Sequence, residues 1–408
     1  MVEHEGSCDR LRIAYFSPLS PIRSGISGYS EELIPELARH CQLDLFVDGY
    51  QPTNVDITTR YVVRDASMDT GWRDERYDLA MYHIGNNPYH SYMLRALRQR
   101  PGVVVFHDAV LHHLLVEETL AKENRAAYVR EMGYAYGREG VALALRVARG
   151  EREIPHFQYP LLDRVVDLSF GVVVHSQYAR SLVERTSPGK LVRIVPLFST
   201  ARTSPQKADR ERARQRLGLE PNQFILASFG FATPAKRVEV ALRAFRRFLE
   251  KRPGSRFLWV GEYPGWCDVP SLVCQLGLGG RASVTGYVDD ETFSSYISAT
   301  DVCLALRYPT AGETSAALLH LMAMAKPTVV TDTGWFSELP ADCCLKVGVG
   351  PGEEDDLVAT LERLADDGAL RARLGKNARQ HVLCNHRLEE AARGYAEFLG
   401  LVWQEVVT

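Results

Sequence analysis

The stretch RYPTAGETSAALLHLMAMAKPTVVTD, residues 307–332, decides the fold. A polar knot, Gly312-Glu313-Thr314-Ser315, leads at once into an apolar helical run. The run stops at Lys326-Pro327, and the strand-like Thr328-Val329-Val330 follows. Loop, helix and strand in that order form the repeating unit of a parallel sheet covered by helices. The helix nevertheless opens with a carboxylate and two hydroxyls. Either Thr314 or Ser315 caps it, or its N-terminus offers backbone amides to an anion.

Working outward, the same alternation fills the chain's second half. Strand-like runs at Phe224–Phe229, Arg256–Val260, Ala282–Val284, Val302–Leu306 and Thr328–Thr331 are separated by helical patterns at Val238–Glu250, near Val269–Leu276 and near Glu291–Ser298. The first half shows it too: runs at Arg12–Phe16, Leu43–Val47, Leu79–His83, Val103–Phe106 and Gly171–His175, with a helix expected from about Tyr29 to His40. Between the halves, residues 199–213 are polar and strand-free, as a linker leading into a helix would be. The tail from Leu388 to Val402 has apolar residues at 391, 392, 395, 398, 399 and 402, all on one helical face. The expected fold class is α/β. Two Rossmann-like, doubly wound domains span 1–198 and 199–385, and a C-terminal helix over 386–408 returns to the first. Two such sheets leave a cleft at the carboxyl ends of their strands, where ligands of these folds bind.

Composition narrows the function. The 408 residues are 46% hydrophobic and 24% charged, which is globular. A net charge of −3 gives no drive toward nucleic acid. No apolar run is long enough for a transmembrane helix, and Met1 to Arg10 lacks the layout of a signal peptide. The eight cysteines form no CxxC and no zinc spacing, which reads as reduced cytosolic thiols. The expected location is cytoplasmic, with peripheral contact at the inner membrane face as an option. No metal and no cofactor is expected.

The loops after the strands carry the candidate chemistry. Lys236 and Arg237 stand just before a helix, where cations oppose the macrodipole; they serve either an anion such as a diphosphate or a solvated turn. Gly25 and Gly28 lie between the first strand and first helix, where glycine admits a ligand close to the backbone or simply makes a turn. Gly348, Gly350 and Gly352 mimic a phosphate loop, but Glu353, Glu354, Asp355 and Asp356 at the next helix start would repel phosphate. His107 and Asp108 follow a strand directly, as do His83, Gly85 and Asn86, and all can line the cleft. His112 and His113 read as surface or packing residues, and Ser176 as a cap. At the opening stretch, Glu313 would be repelled by phosphate and turns instead to sugar hydroxyls. Phosphate beside sugar means a nucleotide sugar.

Taken together, SPLSPIRSGISGYSEEL (17–33), VVVFHDAVLHHLL (103–115), VVVHSQYARSLV (172–183), FGFATPAKRVEVALRAF (229–245), VTGYVDDETFSSYISATDVCLAL (284–306), the opening stretch and LRARLGKNARQHV (370–382) resemble the GT-B glycosyltransferases of family 4. The resemblance runs from Arg12 to about Ala378. It implies retaining transfer from a nucleotide diphosphate sugar without a metal. Lys236 matches the family's lysine on the diphosphate, while Phe231 stands where an arginine is common, so Arg237 compensates or the diphosphate is held less tightly. The family carries two glutamates, one for the sugar and one for the ribose. Here those positions fall on Gly312, beside Glu313, and on His320. The resemblance makes His107 and Glu313 the catalytic candidates. Its donor-binding candidates are Gly25, Lys236, Arg237, Thr314, Ser315, His320 and Tyr287, and Gly28, His83, Asn86 and Asp108 are left for the acceptor or the cleft.

The expected partners are a nucleotide sugar and a glycan, lipid-linked or small-molecule acceptor. The segment His107–Pro160 is expected to hold much of the acceptor surface; its arginines make either a solvated face or a membrane-resting one. Two alternatives stand beside the transferase. One is a GT-B sugar-nucleotide epimerase. The other is a non-catalytic nucleotide-sugar-binding subunit, supported by the missing second glutamate.

Overall fold

The structure, a computed structural model, describes residues 10–73, 76–200 and 207–408. Residues 201–206 of the expected linker, the polar start before Arg10 and Cys8 lie outside the described residues. The chain divides into two compact units. The first comprises Met1–Leu197, Ala311–Thr314 and Leu388–Thr408; the second comprises Phe198–Thr310 and Ser315–Arg387.

The first unit is built on a seven-stranded sheet: β1 (Arg12–Phe16), β2 (Gln42–Val47), β3 (Val62–Asp65), β4 (Leu79–Ile84), β5 (Val103–Phe106), β6 (Gly171–Val174) and β7 (Val192–Ile194). The order is β3-β2-β1-β4-β5-β6-β7, and every pair is parallel. The central strands are buried on both faces, as their unbroken valine and aliphatic runs require. The second unit has six parallel strands: β8 (Ile225–Phe229), β9 (Arg256–Val260), β10 (Ala282–Val284), β11 (Val302–Ala305), β12 (Thr328–Thr331) and β13 (Leu345–Val347). Their order is β10-β9-β8-β11-β12-β13. Strand order reverses between β1 and β4 in one sheet and between β8 and β11 in the other. Such switch points are where open α/β sheets bind ligands.

Three strands were not legible from sequence: β3, β7 and β13. Each is an edge strand, only partly buried, so its sequence carries no apolar run. The first helix spans Gly25–Leu37 rather than starting near Tyr29, because the Ser24 side chain accepts from Ile26 N at 3.2 Å and caps it there. Gly25 and Gly28 therefore lie in the helix's first turn, not in the loop before it.

The C-terminal helix, Leu388–Val407, belongs to the first unit. Its residues 391, 392, 395, 398, 399 and 402 are all buried. Tyr395 Oη lies 2.7 Å from Tyr29 Oη, and Phe398 sits where a Cβ on Gly171 would come within 2.8 Å. That close approach explains the glycine at the start of β6.

Candidate active site

In the second unit the site grows from the ends of β8, β9 and β11. Gly230 follows β8 in a left-handed conformation, φ +91°, and a Cβ there would lie 2.6 Å from Lys236 Nζ. Gly261 follows β9, and a Cβ there would meet the Gly230 carbonyl oxygen at 2.4 Å. The two glycines let the β8 and β9 loops close on each other. Trp259 Nε1 donates to the same carbonyl at 2.9 Å. Lys236 closes a short 3-10 turn, Pro234–Lys236, and its ammonium donates to the Phe229 carbonyl at 3.0 Å. A small recess opens here, lined among others by Ser228, Lys236, Trp259, Arg307, Ser315 and Phe336. It sits at the β8–β11 switch point.

The two neighbouring cations have different fates. Arg237, at φ +57°, turns away from Lys236 and grips Glu353 with two charge-assisted hydrogen bonds, Nε to Oε1 at 2.9 Å and Nη2 to Oε2. Glu353 is 3% exposed. Arg237 is thus committed to a structural ion pair, and this is also what occupies the first of the acidic residues at that helix start. Arg307 lines the recess instead, a role that sequence reasoning missed although the residue opens the deciding stretch.

That stretch itself forms the helix Ala316–Ala323, with Ser315 as cap: its hydroxyl accepts from Leu318 N at 3.2 Å. The first-turn amides left without intrahelical acceptors are those of Ala316 and Ala317, and Ala317 lines the recess. Leu318, Leu319, Leu321, Met322 and Ala323 are buried. His320 lies at the edge of that face with its ring 5.9 Å from Phe293, and burial holds its pKa below the usual histidine value. Past the end of the helix Ala325 takes φ +56°, after which the buried Lys326 ammonium donates to the carbonyls of Ser298 and Thr300, both at 2.9 Å. Tyr287 follows β10 and is 63% exposed.

Residues 311–314 belong to the first unit, where Ala109 N donates to the Ala311 carbonyl at 2.7 Å. Gly312 is at φ +77°, and a Cβ would lie 2.8 Å from that of Ala109, so the family's glutamate has no room here. Glu313 Oε2 accepts from Ala311 N at 2.7 Å. Thr314 Oγ1 is buried with no hydrogen-bond partner among the described residues.

The first unit ends its three central strands in histidine: His83 in β4, His107 after β5 and His175 after β6. His175 Nδ1 meets the Val195 carbonyl at 2.8 Å, so it must donate there. Its Nε2 is then the acceptor for His107 Nδ1 at 3.3 Å, and His107 Nε2 accepts from His83 Nδ1 at 3.0 Å. One carbonyl thereby sets the tautomer of three imidazoles in series. The chain ends on His83 Nε2, a buried acceptor without a donor. Burial pushes the pKa of His83 and His107 well below the usual value and that of His175 down to about 4. The expectation that His107 holds a sugar through a ring nitrogen has no open nitrogen to rest on. His83 is 0% exposed and lines no open surface. The signal for His175 was in the sequence: three adjacent strands, LAMYH, VVVFH and GVVVH, each end in histidine.

Asn86 and Asp108 are framework as well. Asp108 Oδ2 accepts from Asn86 N at 2.8 Å. The Asn86 side chain accepts from Leu114 N at 3.0 Å and reaches His113 Nδ1 at 2.8 Å. By contrast, a Cβ on Gly25 or Gly28 would meet nothing within 4 Å. Nothing in the packing demands glycine there, although glycine costs a helix about 1 kcal/mol relative to alanine.

Among the described residues no group of three histidines, cysteines or carboxylates is placed to hold a metal ion. Also among the described residues, no helix is long and apolar enough to cross a membrane.

Residues 209–381, nearly all of the second unit, match the family described as Glycosyl transferases group 1. Over 182 residues the chain is 30% identical to the alpha-D-kanosaminyltransferase of Streptomyces kanamyceticus, covering 44% of this chain and 45% of that one. The chain spans about half the length of the curated relatives it matches first. Sucrose-phosphate synthase from Thermosynechococcus elongatus superposes with a TM-score of 0.69 at 18% identity, over 98% of this chain and 99% of that one. Anabaena HepE in complex with UDP and glucose superposes with a TM-score of 0.67 at 17% identity, over 96% and 100%. The fold is the one these two structures share, two Rossmann-like units of the GT-B type.

Proposed function

We propose that the protein is a retaining glycosyltransferase that moves a sugar from a nucleotide diphosphate sugar to an acceptor hydroxyl without a metal. The observation that carries this reading is the recess at the β8–β11 switch point, where Lys236, Arg307 and, at the start of the Ala316–Ala323 helix, Ser315 and Ala317 line one pocket within the stretch that matches the group 1 family. A cation, a guanidinium and a helix N-terminus on one recess fit a diphosphate. The complexes of HepE with UDP and UDP-glucose make a uridine donor the first to test.

In this reading the acceptor oxygen forms its bond to the anomeric carbon as the bond from that carbon to the diphosphate oxygen breaks. The acceptor's proton passes to the leaving phosphate on the same face of the sugar. The residues contribute position and charge stabilisation rather than a proton. Gly25 and Gly28 leave open space for ligand atoms. Glu313 and Thr314 face sugar hydroxyls, His320 takes the ribose and Tyr287 the base. A glycan, a lipid-linked molecule or a small polyol serves as acceptor, and the place of action is the cytoplasm, with the arginine-bearing helix Arg125–Ala148 available to an anionic membrane surface.

Calorimetric titration of UDP-glucose and UDP tests the reading. Lys236→Ala is expected to weaken both by about 1.5–3 kcal/mol, the worth of a hydrogen bond to a charged group, with the melting temperature unchanged. Equal affinity in parent and variant would remove the diphosphate assignment. The non-catalytic reading rests on Gly312 and His320 standing where the family has glutamates. Release of glucose from UDP-glucose in the absence of acceptor would exclude it.

A further inference from the structure

Around the start of the helix His112–Glu118, the first unit holds a second group of imidazoles outside the three-histidine chain. His113 and His156 stack face to face, ring centroids 3.9 Å apart and planes 6° from parallel. Phe157 stands edge-on to His113 at 5.3 Å, and His112 lies 5.3 Å from His156. The loop carrying His156 and Phe157 is pinned by Leu111 N, which donates to the Pro160 carbonyl at 2.8 Å, and by His112 Nδ1 on the Tyr159 carbonyl at 2.9 Å.

We propose that the stacked pair His113–His156, with Phe157, is a platform for the ring of a polyol acceptor, a sugar or cyclitol, and that the His113 Nε2–H donates to one of its hydroxyls. This rests on the transferase reading above and adds the acceptor's class and residues.

Three observations carry it. First, the tautomer is fixed. Leu114 N donates to Asn86 Oδ1, which orients the amide so that Nδ2–H points at His113 Nδ1. Nδ1 is therefore an acceptor, and the ring's proton is on Nε2, which has no partner among the described residues. Second, the arrangement is unfavourable for stability alone. His156 Nδ1 is buried without a partner, and Leu161, which ends the loop, is a branched residue at φ +56°. Such costs persist where function holds them. Third, burial pulls the His113 pKa down to about 4, and that of His156 down as well, so both rings are neutral at pH 7. Neutral aromatic faces suit the C–H face of a ring, and a neutral N–H suits a hydroxyl.

The test uses the full chain with labelled histidines and reads ring nitrogens by NMR while methyl α-D-glucopyranoside, glucose 6-phosphate or UDP is titrated in. The methyl glucoside is expected to shift the His113 and His156 signals. His156→Ala, which loses the platform, and His113→Phe, which keeps the ring but loses the donor, are each expected to weaken that binding by about tenfold, the equivalent of one polar or stacking contact. UDP affinity stays as in the parent in both. Unshifted rings, unchanged glucoside affinity in both variants, or binding of the phosphate ester alone would each overturn the proposal. Failure of the parent to bind UDP would instead strike at the transferase reading, and is read separately.

Discussion

At the carboxyl ends of β8 and β11 the second unit keeps a lysine and an arginine on an open recess, above two glycines pressed together. At the carboxyl ends of β4, β5 and β6 the first unit puts histidines that bond mainly to one another and to backbone carbonyls, all held neutral by burial. The two sheets share a layer logic but differ in electrostatics. The second places a lysine and an arginine on its recess. The first buries its histidines as an uncharged chain that bonds within itself. A fold assigns the place of a site, and side-chain chemistry decides what each half can hold.

The sharpest way to break this contrast is with acid. His83, His90, His107, His112, His113, His156 and His175, all in the first unit, have folded pKa values below the usual 6.5, with His90, His112, His113 and His175 at about 4. The folded state resists the proton that the unfolded chain takes up. The stability these groups contribute is complete above 6.5 and is lost as pH falls toward 4. Each fully buried ring forfeits up to ~1.4 kcal/mol per pH unit in that window. Among the described histidines of the second unit, only His320 and His381 show a lowered value. Calorimetry at pH 7.5 and pH 5 should show the first unit melting earlier in acid and the second changing less. Equal shifts in both would dissolve the contrast.

Next in size is Arg237. Its removal leaves Glu353 buried and unpaired, at a cost of about 2–4 kcal/mol of stability, the lower part of the range for broken buried pairs because Arg237 is 27% exposed. UDP affinity should hold. Lys236→Ala should do the reverse, so the pair of variants separates scaffold from ligand site. If Arg237→Ala weakens UDP binding at unchanged melting temperature, the assignments of the two cations are interchanged.

The smallest effect is expected at His320. His320→Ala should lose about 0.5–1.5 kcal/mol of UDP affinity, the net worth of one neutral hydrogen bond. His320→Glu should retain binding, since a carboxylate also accepts from a hydroxyl. Unchanged affinity in the alanine variant would leave His320 as a packing partner of Phe293.

Much of this was legible beforehand. The central strands, the face of the Leu388–Val407 helix and the caps Ser176 and Ser315 follow from local pattern, because a capping oxygen or an apolar period acts over a few residues. Edge strands β3, β7 and β13 were not, since half-solvated strands need no apolar run. Nor was the fate of Arg237, whose partner lies 116 residues away. His112 and His113 read as surface or packing residues because nothing near them in sequence shows the loop that brings His156 onto His113.

The sequence by itself determined two parallel sheets, their covering helices and the loops in which chemistry could sit. Hydrophobic period and turn residues are local properties, and they leave little freedom once the chain is this long. Tertiary structure alone decided where each loop residue goes. It tied Arg237 to Glu353, filled both nitrogens of His107, turned the Asn86 amide toward His113 and left Lys236 and Arg307 on the recess. Hydrogen bonds and ion pairs of buried groups are satisfied by whatever the fold brings within about 3 Å, and that neighbourhood is set by distant segments of the chain.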